Sequence, residues 1–286
     1  MTTLLAAIDL EPDSMVVIRR ASELARVLDA DLHLVHVVDE AFTLYESLVE
    51  APMRHRLEEA GRRALQGFVD SLPEKLTQRS HCDVILGKPA KAMITKARDI
   101  AADLIIVGKH HKDPLQDLFA GTTAEKLLRY SHIPLLLVTG EVTGAYQRVV
   151  AATDFSRSSH YALKSALWVA PQTQIRLIHV FEPPFMGLIH YRQQDMEELV
   201  ALQNTRIKQE IAEEMLHFLA SDVQSRINTQ VLTGETQACI AHAVDKHRSQ
   251  LLVLGTHGRQ GINRLMMGSV AMNFLSAPPC DVLVAK

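Results

Sequence analysis

LLVLGTHGRQGINRLMMGSV, residues 251–270, is an apolar run closed by Gly255, then Gly258 after two residues, then Gly268-Ser269 after nine more. An unbroken apolar run of this length reads as a strand buried on both faces, the kind found in parallel sheets. LIIVGKHHKDPLQDLFAGTT, residues 104–123, repeats the pattern 147 residues earlier, setting Gly108 against Gly255 and Gly121 against Gly268. Working outward, LLAAIDLEPDS (4–14) matches RVVAATDFSRSS (148–159), with Asp9 and Asp154 offset by 145. DLHLVHVVDE (31–40) matches QIRLIHVFEP (174–183), with His36 and His179 offset by 143. CDVILGKPAKAMITKA (82–97) matches NTQVLTGETQACIAHA (228–243), with Gly87 and Gly234 again 147 apart. So steady an offset along the whole chain is a tandem duplication.

Each copy alternates apolar runs with helical patterns. In the first, strands are expected at Thr3–Asp9, Asp31–Val38, Ser80–Leu86, Asp103–Gly108 and Pro134–Val138. Helices are expected over Asp13–Leu28, inside Leu44–Leu72, and over Pro89–Ile100 and Thr122–Tyr130. Strands separated by helices of ten or more residues imply parallel pairing through right-handed crossovers. The expected class is therefore α/β, two tandem doubly wound five-stranded parallel-sheet sandwiches of Rossmann type. The domains are read as 1–142 and 146–286, with TGEVTGAY at Thr139–Tyr146 as the join.

Composition narrows the function classes. Of 286 residues 47% are hydrophobic and 22% charged, the balance of a folded globular chain rather than a disordered one. No apolar run reaches the ~18 residues of a membrane-spanning helix, and Asp9 interrupts the start where a signal peptide is apolar. Three widely spaced cysteines (Cys82, Cys239, Cys280) argue against a disulfide framework and for a reducing cytoplasm. Up to Ala145 there are 17 basic and 21 acidic residues, net −4; beyond it 13 and 12, net +1. Neither half is basic enough for a nucleic-acid surface.

In an open parallel sheet, ligands bind beyond the carboxyl ends of the strands, where strand order reverses. Thr153-Asp154 and Gly255 end the first and fourth strands of the second copy and belong on that edge. Gly255 and Gly258 permit positive φ and close backbone approach to a ligand. Gly268 and Ser269 open a helix whose N–H groups and dipole suit a phosphate, with Ser269 able to cap it.

The Gly-x2-Gly-x9-Gly-Ser spacing after LLVLG, the TDFS after the first strand and the CDVLV near the end resemble the universal stress protein family, and two copies resemble its E-type tandem members. The resemblance implies an adenine nucleotide alpha hydrolase-like fold, cytoplasmic stress resistance, and binding of ATP or a related adenine nucleotide, with or without Mg. By the same resemblance Asp154 contacts the adenosine and Val180 lines the base pocket. Gly255, His257 and Gly258 surround phosphates or ribose, and Gly268, Ser269 and Val270 complete the phosphate cradle. The first-copy counterparts are Asp9, Val37, Gly108, Gly121 and Thr122. Pairing through the last strands, Pro134–Val138 and Asp281–Ala285, is implied too, within one chain or across a homodimer.

The first copy departs from the pattern: His111 stands where the second glycine is due, and Asp113-Pro114 follow. An imidazole there occupies phosphate space and resists positive φ, so the second copy is read as the nucleotide site. Plainer readings stand beside these. Asp9 and Asp154 can serve as helix caps, and His36 and His179 as structural hydrogen bonders. The pairs His110-His111 and Cys239/His242 lack further metal ligands. The apolar cluster in Glu182–Gln194 admits either packing or an apolar ligand wall, so a carrier or sensor of a partly apolar ligand is the alternative. Ile262, Leu265, Met266 and Met267 read as a lid or packing turn. No Gly-Lys-Ser/Thr follows any strand, which leaves at most slow ATP hydrolysis.

Overall fold

The computed structural model describes residues 1–11, 14–39, 51–109, 123–182, 193–219, 221–256 and 268–286. The chain divides into two compact units, Met1–Ala145 and Tyr146–Lys286. The first runs β1 (Thr3–Ala7), α1 (Ser14–Leu28), β2 (Asp31–Val38), α2 (Ala51–Asp70), α3 (Glu74–Thr77), β3 (Ser80–Leu86), α4 (Pro89–Asp99), β4 (Leu104–Gly108), α5 (Thr123–Tyr130) and β5 (Leu135–Val138). Its strands pair in the order β3-β2-β1-β4-β5, all parallel.

The second unit runs β6 (Val149–Ala152), α6 (Arg157–Val169), β7 (Ile175–Phe181), α7 (Gln193–Phe218), α8 (Ser221–Gln224), β8 (Ile227–Thr233), α9 (Thr236–Lys246), β9 (Leu251–Gly255), α10 (Ser269–Ser276) and β10 (Asp281–Ala285). Its order, β8-β7-β6-β9-β10, is again all parallel and repeats the first. In both units the chain winds outward from the first strand, returns, and adds the fourth on its other side. The reversal falls between β1 and β4, and between β6 and β9. Doubly wound α/β architecture is thus what the alternating pattern forms. Its apolar runs fill the centre, with Leu4–Ala6, Leu104–Ile106, Val149–Ala151 and Leu251–Leu254 all buried. The outermost strands β3 and β8 are only partly covered.

The first strand of each unit ends earlier than its sequence suggests. β1 stops at Ala7, two residues short of Asp9, and β6 stops at Ala152. One more ladder-like bond follows in each: Ile8 N–H to Val35 O and Thr153 N–H to Ile178 O, both 2.8 Å. The chain then leaves the sheet through a left-handed residue, Leu10 at φ 65° and Phe155 at φ 63°. The same two-residue exit in both copies puts each Asp outside its strand, at the sheet's carboxyl edge. Further on, Gly87 and Gly234 take φ of 150° and 140° while donating to Val38 O and Phe181 O. That paired glycine is a backbone requirement of the turn after the third strand.

Three polar contacts fix the ends of the units. Arg20, buried on α1, donates through Nη1 to Gly144 O at 2.8 Å. Tyr146 is fully buried, and its hydroxyl donates to Asp281 Oδ2 at 2.7 Å. Thr173 Oγ1 donates to the Tyr146 carbonyl. Asp281 occupies the β10 position that Pro134 holds before β5, so the two last strands differ for a reason internal to the second unit.

Candidate functional site

The carboxyl edge of the second unit is assembled from the ends of β6 and β9, neighbours at the strand-order reversal. Thr153 is the pivot of the β6 end. Its carbonyl accepts from His179 Nδ1 at 2.8 Å, and its hydroxyl meets Ser159 Oγ at 3.1 Å and Phe155 N–H at 3.2 Å. Asp154 Oδ1 accepts from Ser156 N–H at 3.1 Å, an Asx turn that aims the chain into α6. The cap of α6 is Ser156, whose hydroxyl accepts from Ser159 N–H at 3.1 Å. Helix capping is therefore the work of Ser156, and Asp154 lies two residues before that cap. In the first unit Asp9 Oδ1 accepts from Glu11 N–H and from the Ser14 hydroxyl at the start of α1.

Gly255 does not take positive φ, contrary to the sequence-based expectation. Its missing side chain serves close packing instead. A Cβ there would lie 2.7 Å from Ser159 N and 2.8 Å from the Ser158 carbonyl carbon, both backbone atoms of α6. Gly108 plays the same part against α1, where among the described residues a Cβ would meet only Val17 Cγ2, at 2.8 Å.

Gly268 is the N-cap residue of α10, at φ −62° and ψ 142°, and its N–H donates to Thr256 O at 2.7 Å. That amide is engaged within the protein and is not a phosphate donor. Ser269 is the first helical residue and so does not cap. The first bond within α10 runs from Met272 N–H to Gly268 O at 3.2 Å. The N–H groups of Ser269, Val270 and Ala271 thus have no partner inside the helix, and Gly268 brings no capping side chain.

The contrast with α9 is informative. There Glu235 accepts from Gln237 N–H and Ala238 N–H at 2.9 and 2.6 Å, while Glu182 accepts from Thr236 N–H and Oγ1 at 2.8 and 2.6 Å. Two carboxylates already occupy that helix start, and the Thr236 hydrogen bonds hold the Glu182 carboxyl below its ordinary pKa. Of α6, α9 and α10, only α10 begins without a side-chain cap.

Val180 lies near the carboxyl end of β7 and Val37 near that of β2, beside the paired histidines. His36 Nδ1 bonds Ile8 O at 2.8 Å, the same bond that His179 makes to Thr153 O. A carbonyl only accepts, so each imidazole carries its proton on Nδ1 and acts as a clamp between the first two strands of its unit. His257, Gly258, Gly121 and Thr122 lie outside the described residues, as do His110, His111, Asp113-Pro114, the 262–267 cluster and residues 183–192. Among the described residues no group of three or more His, Cys, Asp or Glu is placed to hold a metal ion.

Three residues important to this edge were not singled out from sequence: Thr256, Phe155 and Glu182. Thr256 is fully buried and bonds both Ala285 O and Gly268 N–H. Phe155 is left-handed and its ring lies 4.7 Å from that of His179. The duplication held a signal for Phe155, since Leu10 stands at the matching position. Thr256 and Glu182 had none, their partners being distant in sequence.

The thiols are not poised for chemistry. Burial, then Asp281, pushes Cys280 up to about 12, and burial, then Asp83, pushes Cys82 up to about 11; burial also raises Cys239. Because the thiolate is the nucleophile, iodoacetamide at about pH 8 is expected to label Cys280 and Cys82 at least ~10-fold faster in denaturant than in the folded chain. Peptide mass spectrometry reads this directly, and equal rates would contradict it.

The sequence model of the universal stress protein family matches residues 1–139 and again 145–286. A universal stress protein of Methanocaldococcus jannaschii is 29% identical over 164 residues, 56% of this chain and 92% of that protein. Another, from Mycolicibacterium smegmatis, is 21% identical over 301 residues, covering 99% of this chain and 96% of its own. The crystal structure of a universal stress protein from Archaeoglobus fulgidus shares the fold, with a TM-score of 0.70 at 16% identity over 99% of this chain and 96% of that one. Two successive family matches, each on a repeated sheet of the same strand order, place this chain in the universal stress protein family as a tandem member.

Proposed function

We propose that the second unit binds ATP or a related adenine nucleotide, with or without Mg, and that the chain serves a cytoplasmic stress response through conformation and partners rather than turnover. The observation that carries this reading is the open start of α10 at the strand-order reversal. Three backbone N–H groups there lack helix partners, while α6 and α9 are closed by Ser156 and by Glu235 with Glu182. Helix N-termini of this kind suit phosphate oxygens through both their donors and their dipole. Ser269, Val270 and Ala271 would receive phosphate, and Asp154 and Val180 would take the adenosine, as in the family pattern. Gly258 and His257 complete that assignment from sequence. The first unit, with His111 in place of the second glycine, is assigned the weaker role.

Isothermal titration of the full chain with ATP tests the reading against a Gly258→His/Ser269→Ala double variant. An imidazole placed in the space read for phosphate, together with loss of the Ser269 hydroxyl, is expected to weaken binding by roughly 10- to 100-fold. Equal affinity would overturn the assignment. Native mass spectrometry of the purified chain discriminates the alternative, since a retained apolar molecule in place of a nucleotide identifies a carrier.

A further inference from the structure

β2 and β3 pair in register at His33 and His81, and the two imidazoles stack with centroids 4.5 Å apart and planes 25° from parallel. Asp83, two residues along β3, shares that face of the sheet. From α4, Lys96 sets its Nζ 2.7 Å from Asp83 Oδ2. His33 Nδ1 lies 3.8 Å from the same oxygen and makes no hydrogen bond. The groups acting on His33 are His81, Lys96 and Asp83. Behind it β1 contributes buried Leu5. Cys82 alternates to the opposite face, where Asp70 and Arg62 of α2 act on it.

One carboxylate therefore faces one permanent cation and two rings that become cations in acid. With both imidazoles neutral, Lys96 and Asp83 cancel; with both protonated, the cluster carries two uncompensated positive charges face to face. We propose that this cluster is an acid-released latch on the outer strand of the first unit, holding β3 to β2 near neutral pH and letting go when both rings are protonated. β3 is the end strand of that unit's order, only partly covered, and pairs with β2 alone among that unit's strands.

The sign follows from His33. Burial first, then His81 and Lys96, hold its pKa below the ordinary imidazole value, with Asp83 opposing. The unfolded chain thus takes up this proton at higher pH than the folded chain. The stabilisation is complete above about pH 6.5 and is lost as pH falls from there through the folded value. The second unit carries Arg176, Asn228, Gln230 and Ala243 at the matching positions, with Arg176 paired to Asn228. It has no imidazole stack at that place.

Hydrogen–deuterium exchange of the full chain between about pH 7.5 and pH 5.5, corrected for intrinsic rates, tests the latch across the range where histidine titrates. Opening of residues 80–86 is expected to rise as pH falls, by about tenfold for each unit by which folding depresses the imidazole pKa. Residues 227–233 of β8 stay level and serve as the internal reference. His81→Asn, which installs the residue found at the second-unit position, removes most of the rise. Should that variant already expose β3 near neutral pH, Lys96→Met supplies the second arm: with one cation gone and Asp83 free for the rings, folding depresses the imidazole less and the acid-driven rise in β3 opening shrinks. A wild type whose β3 exchange ignores pH, or an unchanged acid response in Lys96→Met, overturns the proposal.

Discussion

Gly255→Ala is expected to lower the stability of the second unit by about 2–3 kcal/mol, as overpacking a well-filled contact does. The added Cβ would sit 2.7 Å from Ser159 N and 2.8 Å from the Ser158 carbonyl carbon, closer than such contacts tolerate. Both are backbone atoms of α6, held by the Ser156 cap and by the Thr153–Ser159 hydroxyl pair. Relief therefore requires moving the helix start rather than turning a side chain. Gly108→Ala in the first unit meets, among the described residues, only a methyl of Val17 and is expected to cost about 1 kcal/mol. Trp168, the single tryptophan, lies in α6, so its fluorescence during denaturant unfolding reports the second unit. A Gly255→Ala midpoint indistinguishable from wild type would refute the packing role.

Tyr146→Phe is expected to cost about 2 kcal/mol in the same unit, the range for deleting one partner of a buried hydrogen bond to a charged group. Asp281 is 2% exposed and Tyr146 1% exposed, so water does not replace the lost donor without reopening the core. The ring itself remains, which separates the hydrogen bond from the packing of the side chain. Trp168 fluorescence again reads the loss, and a change under about 0.5 kcal/mol, the level of an ordinary surface substitution, would contradict it.

The fold was legible because its evidence is local and written twice. LIIVG and LLVLG are apolar on both faces, and the constant 147-residue offset after the third strand fixed which glycines correspond. The strand ends were less legible. Apolar Ile8 reads as a continuation of β1, yet Leu10 and Phe155 turn left-handed, a conformation for which neither residue type has a preference. At the site, residue identity was readable but backbone role was not. Gly255 looks like a turn glycine, whereas its need arises from a helix that approaches from about a hundred residues away. Gly268 looks like a free donor, whereas its N–H is taken by Thr256. Asp281 in place of Pro134 signals asymmetry in sequence, but only packing reveals Tyr146 as its partner.

The Gly268 N–H to Thr256 O bond also bears on how the two copies came to differ. It ties together the two ends of residues 257–267, while Thr256 N–H is fastened to Ala285 O in the last strand. Lys109 N–H makes the matching bond to Val138 O in the first unit. Once a segment's ends are fixed, changing its length or content alters closure entropy only slowly, by about 0.6 kcal/mol per doubling. A change of length between two such fixed ends therefore costs the sheet little. The two copies thus carry different residues after the fourth strand, His111 in one and Gly258 in the other, on sheets of the same strand order.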